Sequence, residues 1–243
     1  MAKVKKAVED LLRNHPKMFA FASKCYHKLN SSFKTLSPGA PGAIRQAFVE
    51  IQKKAPATAG DYYEFGVFRG YAFLSAQKSC AELGIDDVHF YGFDSFEGLP
   101  PVTGIDKTNN QFFEGQFKCG KDEVVANLTE HGVDWSKTTL IEGFFSDSLT
   151  DEAKRTHDFR PVDVALIDCD LYSSTQEVLS WLNDFIRDGS ILLFDDWYSY
   201  GTDESLGQQK AFAEFLDTNK NYTAEPFVEF EEHGKGFIIK ISE

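Results

Sequence analysis

From residue 59 onward, short apolar runs alternate with longer stretches in which apolar residues recur at helical spacing. The runs are rich in β-branched and aromatic residues and are bounded by turn residues, which is typical of strands buried on both faces. They lie at 62–67, 88–93, 139–141, 162–167 and 191–194. The helical stretches lie at 71–83, 121–131, 173–186 and 206–216. Strands separated by helices indicate a parallel, doubly wound sheet.

The end of the chain carries a different pattern. Two further strands are predicted at 223–230 and 236–241, separated only by a turn at His233-Gly234. Because so short a turn joins neighbouring strands, the last strand runs antiparallel to the one before it. We therefore predict an α/β fold that is Rossmann-like, with a doubly wound, mostly parallel sheet of seven strands and an antiparallel last strand.

The stretch between the fourth and fifth strands has its own start and stop signals. Ser173-Ser174-Thr175, followed by Glu177, predicts a helix that begins with a capping box, and Asp188-Gly189 ends it. A strand, helix and strand of this length form a right-handed βαβ unit. Both strands then end at the edge of the sheet where open α/β folds bind ligands.

The first part of the chain lacks this alternation. It divides into an amphipathic helix at 4–12, an aromatic-rich helix at 18–29 and a third helix at 41–54. We predict that residues 1–58 form a helical arm on an α/β domain of residues 59–243, where the arm covers the sheet or makes an oligomer contact.

One long stretch, residues 97–120, has no regular period. It contains two prolines, several glycines and the Asn109-Asn110 pair, yet it also carries Phe112, Phe113 and Phe117. Loops of this length inside compact domains are usually binding loops or lids, or else disordered. The aromatic residues favour a lid that orders over a ligand.

Charge and composition narrow the possible partners. The net charge of −13 argues against general affinity for nucleic acid. Residues 1–59 hold 11 Lys and Arg against 3 Asp and Glu, which suggests that this basic arm packs on the acidic body of its own chain or of a partner, and we expect a homo-oligomer. Contact with a membrane surface is the alternative. No apolar run is long enough to span a membrane. The four scattered cysteines predict reduced thiols in a cytoplasmic protein.

Two acid clusters follow the fourth and fifth strands. They are Asp168-Cys169-Asp170 and Asp195-Asp196. Carboxylates gathered at one sheet edge repel each other unless a cation lies among them, and no Lys or Arg flanks either cluster. A divalent ion with oxygen ligands, Mg²⁺ or Ca²⁺ in type, is the simplest compensation. The alternative is that these acids only cap the helices that follow.

The turn after the first strand predicts a cofactor site. It reads Glu64-Phe-Gly66-Val-Phe-Arg69-Gly70 and opens a helix, so that the backbone and the helix N-terminus can approach a ligand. Its spacing is not that of a dinucleotide-binding turn. An acidic first residue fits poorly beside a pyrophosphate but suits a cofactor that carries an amine.

The second strand ends in Asp94-Ser95-Phe96. An acid at this position typically accepts hydrogen bonds from ribose hydroxyls. The alternative is that Asp94 and Ser95 only turn the chain.

Five segments, taken in order over residues 61–197, resemble the macrocin O-methyltransferase family, which are TylF-like sugar O-methyltransferases dependent on S-adenosylmethionine. They are YEFGVFRG at 63–70, FDSFEGLP at 93–100, GFFSDSL at 143–149, DVALIDCDLYSST at 163–175 and FDDW at 194–197. The resemblance implies a class I methyltransferase fold and S-adenosylmethionine as cofactor. Tyr71-Ala72 departs from the small residue that family members commonly have after Arg-Gly.

The resemblance also implies roles for individual residues. Asp168, Asp195 and Asp196 would be ligands of Mg²⁺, with Asp168 also the general base and Asp170 an alternative base. The methionine part of the cofactor would lie near Glu64 and Gly66. The remaining cofactor contacts would be Arg69 and Gly70 in the first turn, Asp94 at the ribose, Ser95 and Phe96 in the pocket, and Phe145, Ser146 and Asp147 around the adenine.

Three functions remain as hypotheses at this point. The first is a Mg²⁺-dependent O-methyltransferase that acts on a hydroxyl of a small, glycosylated metabolite of natural product biosynthesis. The second is a glycosyltransferase, because Asp168-Cys169-Asp170 is formally a DxD pair. The third is a protein that binds S-adenosylmethionine without catalysis.

Overall fold

A computed structural model describes Met18, Phe33, residues 37–54 and residues 59–242 of the chain. Seven strands in this part form a single sheet. They are β1 (Asp61–Phe65), β2 (Phe90–Asp94), β3 (Thr138–Glu142), β4 (Val162–Ile167), β5 (Ile191–Phe194), β6 (Tyr222–Phe230) and β7 (Gly234–Ile241). Their order across the sheet is β3-β2-β1-β4-β5-β7-β6.

Helices connect most of these strands. They are α1 (Ala40–Lys54), α2 (Tyr71–Leu83), α3 (Lys121–Glu130), α4 (Phe145–Ser148), α5 (Asp151–Thr156), α6 (Tyr172–Leu182) and α7 (Gly207–Thr218), with 3₁₀ turns at Gly104–Asn110 and Trp135–Lys137. None of the described helices is long and apolar enough to cross a bilayer.

The strand directions confirm the predicted fold. Strands β1, β2, β3, β4 and β5 pair in parallel, whereas β7 is antiparallel to both β5 and β6. The central strands β4 and β5 have the predicted bounds, and all their residues are buried. The sheet is therefore doubly wound and mostly parallel, with a reversed last strand.

Two apolar layers enclose the sheet. Side chains that point to one face, such as Tyr62 and Leu166, pack in one cluster with α1 and α2. Their neighbours on the other face, such as Phe65 and Ile167, pack with α6 and α7. Burying one such side chain contributes roughly 1.5–3 kcal/mol relative to leaving it exposed.

Helix α1 is part of this core. Its buried face includes Ile44, Ala47 and Phe48, which pack in the same cluster as Tyr62. It is the third predicted helix of the arm, and it lies against the sheet. The first two predicted helices, at 4–12 and 18–29, lie outside the described residues apart from Met18, so the role of the arm stays a prediction.

Helix α6 differs from its prediction at both ends. It begins at Tyr172, the N-cap residue is Leu171, and no capping box forms with Glu177. It also ends at Leu182, four residues before the predicted end at 186. The apolar spacing continued past the true end because Phe185 and Ile186 still pack in the second cluster.

Candidate active site

A cavity of about 450 Å³ opens at the carboxyl ends of β1, β2, β4 and β5. Most of the residues predicted to carry chemistry line this cavity. They are Glu64, Gly66, Arg69, Asp94, Ser95, Phe145, Ser146, Asp168, Asp170, Asp195 and Asp196. The fold therefore brings the predicted cofactor turn and both acid clusters to one place.

Glu64 offers an unpaired oxygen at the end of β1. Its Oε2 accepts a hydrogen bond from the Tyr62 hydroxyl at 2.5 Å, while its Oε1 is buried and has no hydrogen-bond partner among the described residues. Burial and the nearby Asp94 and Asp195 raise the pKa of Glu64 to about 8, while the Tyr62 hydroxyl and the Phe73 backbone N–H oppose this shift. A cationic group in the cavity would satisfy Oε1 and favour the ionised form.

The turn after β1 depends on glycine. Gly66 has φ +97°, and a Cβ atom there would overlap with the carbonyl oxygen of Asp168. Gly70 also has a positive φ, of +86°, where it precedes helix α2. Gly66 lets the turn pass close to the end of β4, whereas Gly70 lets it pass close to Leu128 of α3. Arg69 is almost buried, and its guanidinium lies 4.8 Å from the centre of the Phe68 ring.

Asp94 ties the end of β2 to this turn. Its Oδ2 accepts hydrogen bonds from the backbone N–H groups of Val67 at 2.7 Å and Phe68 at 2.9 Å, and its Oδ1 accepts one from Phe96. Burial raises the pKa of Asp94, and these backbone bonds oppose the shift. Asp94 thus turns the chain, and the one lone pair that remains on its Oδ1 leaves room for a single hydrogen bond from the ribose.

The remaining predicted cofactor residues fall into two groups. Ser95, Phe145 and Ser146 line the cavity. Phe96 is instead buried in the first apolar cluster, and Asp147 is exposed and lies outside the lining residues.

The two acid clusters contact each other directly. The backbone N–H of Asp170 donates to Oδ2 of Asp196 at 3.0 Å, in a turn where Asp170 has φ +60°. Burial raises the pKa of Asp168 and of Asp170, and repulsion from the neighbouring carboxylates raises both pKa values further. Burial likewise raises the pKa values of Asp195 and Asp196.

The donor set fits an oxygen-preferring divalent cation chemically. Four desolvated carboxylates face one cavity, and a cation would relieve their repulsion. Among the described residues, however, no group of three or more His, Cys, Asp or Glu side chains is arranged to hold a metal ion. The predicted Mg²⁺ site therefore stays a prediction.

The 97–120 segment is folded against the site. Leu99 and Phe112 form a small apolar cluster with Leu171, and Pro100 and Pro101 line the cavity. This cluster packs the 97–120 segment against the chain next to Asp170. That packing is consistent with the lid predicted from its aromatic residues.

Asp106 is a residue that the sequence analysis missed. It is only 3% exposed, and its two carboxylate oxygens accept hydrogen bonds from the backbone N–H groups of Tyr172 at 2.7 Å and Ser173 at 3.2 Å. It thus caps helix α6 from within the 97–120 segment. Its position in an irregular stretch gave no periodic signal that could have revealed this role.

The strand order and the cavity over the carboxyl ends of β1 and β4 define the architecture of class I methyltransferases. A family model described as macrocin-O-methyltransferase (TylF) matches residues 43–226. The chain belongs to this family, which confirms the resemblance found in its motifs.

Individual relatives are more distant. The mycinamicin III 3''-O-methyltransferase of Micromonospora griseorubida is 26% identical over 145 residues, which cover 57% of this chain and 55% of the relative. An 8-demethyl-8-(2,3-dimethoxy-alpha-L-rhamnosyl)-tetracenomycin-C 4'-O-methyltransferase of Streptomyces olivaceus is 26% identical over 148 residues, covering 59% and 55%. The matched part thus spans little more than half of each relative's length.

Solved structures show the same fold. The structure of the O-methyltransferase NovP matches with a TM-score of 0.69 at 21% identity, covering 83% of this chain and 79% of that chain. At this level of identity, the match supports the shared architecture.

Proposed function

We propose that this protein is an S-adenosylmethionine-dependent O-methyltransferase that acts on a sugar hydroxyl of a small glycosylated metabolite. The observation that carries the proposal is the single cavity in which the unpaired oxygen of Glu64 and the acid clusters of a TylF-family chain face each other. The name of one relative describes 4'-O-methylation of a rhamnosylated tetracenomycin, which supports a sugar-linked acceptor.

Glu64 is the proposed anchor of the cofactor. Its unpaired Oε1 would accept a hydrogen bond from the α-amino group of the methionine moiety, and Oδ1 of Asp94 would accept one from a ribose hydroxyl. Phe145 and Ser146 would lie at the adenine, with Asp147 at the rim. The cofactor supplies a methyl group on a positively charged sulfur, a charge that the neighbouring carboxylates favour.

Asp168, Asp195 and Asp196 are the residues that would hold Mg²⁺. Such an ion lowers the pKa of a hydroxyl group bound to it. By holding such an ion, these carboxylates would fix the position of the acceptor oxygen relative to the cofactor.

Asp168 is the proposed general base, and Asp170 is the alternative. The proton of the acceptor hydroxyl passes to a carboxylate oxygen as the hydroxyl oxygen bonds to the methyl carbon and the bond from that carbon to sulfur breaks. The 97–120 segment would exclude water while this charge is neutralised. No described feature favours the glycosyltransferase or the non-catalytic alternative.

The first test is calorimetry on the full chain. We expect binding of S-adenosylmethionine and no binding of UDP-glucose. The reverse result would support a glycosyltransferase and overturn the proposal.

The second test measures methyl transfer from labelled S-adenosylmethionine to mycinamicin III and to rhamnosylated tetracenomycin as acceptor probes. We expect product with at least one glycoside and none with its aglycone. Cofactor binding without transfer to any glycoside would indicate a binding protein instead.

A further inference from the structure

The hydroxyl of Tyr200 is buried beside the acid cluster and has no hydrogen-bond partner in the part of the chain that the structure describes. Burial raises the pKa of Tyr200, and the nearby carboxylates of Asp106, Asp170 and Asp196 raise it further. Asp106 belongs to the 97–120 segment, so the hydroxyl lies where this segment meets the body of the protein. A buried donor without a partner costs free energy.

The loop after β5 holds the Tyr200 ring in place. The backbone carbonyls of Trp197 and Gly201 accept hydrogen bonds from Nε2 of Gln209 at 2.7 and 2.8 Å, which fixes the loop on both sides of Tyr200. Helix α7 begins directly beside the ring, because a Cβ at Gly207 would lie 2.8 Å from a ring carbon of Tyr200. The ring therefore has little freedom to bring its hydroxyl to another acceptor.

Two of the neighbouring carboxylates already accept hydrogen bonds on both oxygens. Asp106 accepts from the first two backbone N–H groups of α6. Asp196 accepts from the Asp170 backbone and from the Ser199 hydroxyl. These bonds fix both carboxylates for other partners and leave the Tyr200 hydroxyl without an acceptor.

The 97–120 segment forms a loop with a closed base. The backbone of Leu99 donates a hydrogen bond to the far end of the segment and accepts one from the N–H of Gly115, each at 2.9 Å. Gly98 and Gly115 lie at this base with φ of +83° and +72°. Glycines at these two points give the rest of the loop a place to turn as it moves.

The outer part of this loop covers Tyr200. The ring of Phe112 lies edge-on to the Tyr200 ring with the ring centres 6.3 Å apart, and both pack in one apolar cluster with Leu99 and Leu171. This packing favours the closed position of the segment. The buried hydroxyl opposes it, because water can satisfy the hydroxyl only after the segment has lifted.

We propose that the Tyr200 hydroxyl weakens the closed contact of the 97–120 segment and so keeps the cavity accessible to its ligands. Segments that open over a binding site belong to the least stable parts of a fold. Here a single oxygen atom lowers the stability of one contact while the apolar cluster keeps the segment folded. The inference goes beyond the proposed function, since it applies to any ligand that enters this cavity.

The test compares Tyr200→Phe, which removes only the hydroxyl, with the wild type in the full-length protein. Hydrogen exchange of peptides from residues 97–120 measures opening of the segment, and thermal unfolding measures overall stability. Stopped-flow binding of S-adenosylhomocysteine measures access to the cavity. The matched control is Tyr91→Phe, because the Tyr91 hydroxyl is paired, with the Asp158 carbonyl at 3.1 Å, at the opposite edge of the sheet.

We expect exchange in the 97–120 peptides to slow about fivefold or more in Tyr200→Phe, because the closed position no longer buries an unpaired donor. The Tm of this variant should rise. Tyr91→Phe loses a hydrogen bond that is made, so its Tm should fall while its 97–120 peptides exchange like those of the wild type.

Binding kinetics should change in a way that overall stabilisation does not explain. Because a ligand enters and leaves through the same opening, both the association and the dissociation rate constants for S-adenosylhomocysteine should fall about fivefold in Tyr200→Phe. The Kd should stay within a few fold of the wild-type value.

Unchanged or faster exchange of the 97–120 peptides in Tyr200→Phe would overturn the proposal, as would a lower Tm, since either result means that the hydroxyl does not weaken the closed contact. Slower exchange with unchanged binding rates would refute its role in access to the cavity. Absence of S-adenosylhomocysteine binding by the wild type would count against the proposed function, and hydrogen exchange would still decide the role of Tyr200.

Discussion

On the proposed assignment of Glu64 to the cofactor amine, the buried Glu64 carboxyl makes cofactor binding depend on pH. In the free protein its pKa is raised to about 8 by burial, whereas a cationic amine binds the ionised form. Below that pH, binding must therefore release a proton. We predict that the affinity for S-adenosylmethionine rises with pH towards about pH 8 and falls again above it, because the α-amino group of the cofactor, with an ordinary pKa of about 7.7–8.0, then loses its proton.

Calorimetry across this pH range, in buffers of different ionisation enthalpy, measures both the affinity and the released proton. Glu64→Gln removes the titrating group, so its profile should be flatter and its affinity lower. Identical profiles for the wild type and Glu64→Gln would contradict the assignment of Glu64 to the cofactor amine.

Replacing Asp168, the proposed general base, should lower the rate of methyl transfer and leave cofactor binding nearly unchanged. Asp168→Asn keeps the size of the side chain but cannot accept the proton, so turnover should fall about 10²- to 10⁴-fold. Asp170→Asn should cost less if Asp168 is the base. Single-turnover methyl transfer measures both variants. The larger loss in Asp170→Asn would transfer the role to that residue.

At the scale of single elements, the sequence predicted best the strands and helices whose buried residues form a local pattern. Strands β4 and β5 and helix α2 have their predicted bounds, because continuous apolar runs and helical spacing are local signals. The acids that follow β4 and β5 were predicted to lie together because the carboxyl ends of neighbouring parallel strands lie at one edge of the sheet.

Contacts between distant parts of the chain could not be predicted in this way. Helix α6 is capped by Asp106, which lies 66 residues before Tyr172, and Asp195 is held by Ser37 across 158 residues. Neither residue has a local pattern that distinguishes it from other polar loop residues. The sequence therefore predicted the acids of the site but missed the side chains that hold them and the helix beside them.

Asp106 should couple the 97–120 segment to helix α6. Asp106→Ala removes the acceptor of two N–H groups, and loss of such a cap typically costs about 0.5–2 kcal/mol. For a chain of this size we expect a drop in Tm of roughly 2–4 °C per kcal/mol. Trypsin should also cleave faster at the exposed Lys107 next to it. Thermal unfolding and limited proteolysis measure the two effects.

The control for this prediction is Asp134→Ala. Asp134 also accepts a backbone N–H at the start of a helical turn, but it is exposed and lies outside the 97–120 segment. Its loss should leave cleavage at Lys107 unchanged. Equal cleavage rates in Asp106→Ala and Asp134→Ala would show that Asp106 does not anchor the segment.

At the scale of the whole molecule, the arm and the body differ in the sign of their net charge. Residues 1–59 carry an excess of basic residues, whereas the chain as a whole has a net charge of −13. We predict that the arm packs on the acidic body of a second copy. Deleting the first 12 residues should then change the oligomeric state without changing methyl transfer, and light scattering after gel filtration measures the state.

High salt should weaken the same contact, because salt screens attraction between exposed charges. An assembly that is unaffected by both the deletion and salt would refute an interface role for the arm.

We propose that one cavity holds the cofactor on Glu64 beside a cation on Asp168, Asp195 and Asp196. Crystals grown with S-adenosylhomocysteine and Mn²⁺ test it directly, because Mn²⁺ gives an anomalous diffraction signal. We predict a single strong anomalous peak in contact with these three carboxylates and the amine of the cofactor product on Oε1 of Glu64. A peak elsewhere, or S-adenosylhomocysteine bound outside this cavity, would contradict the account.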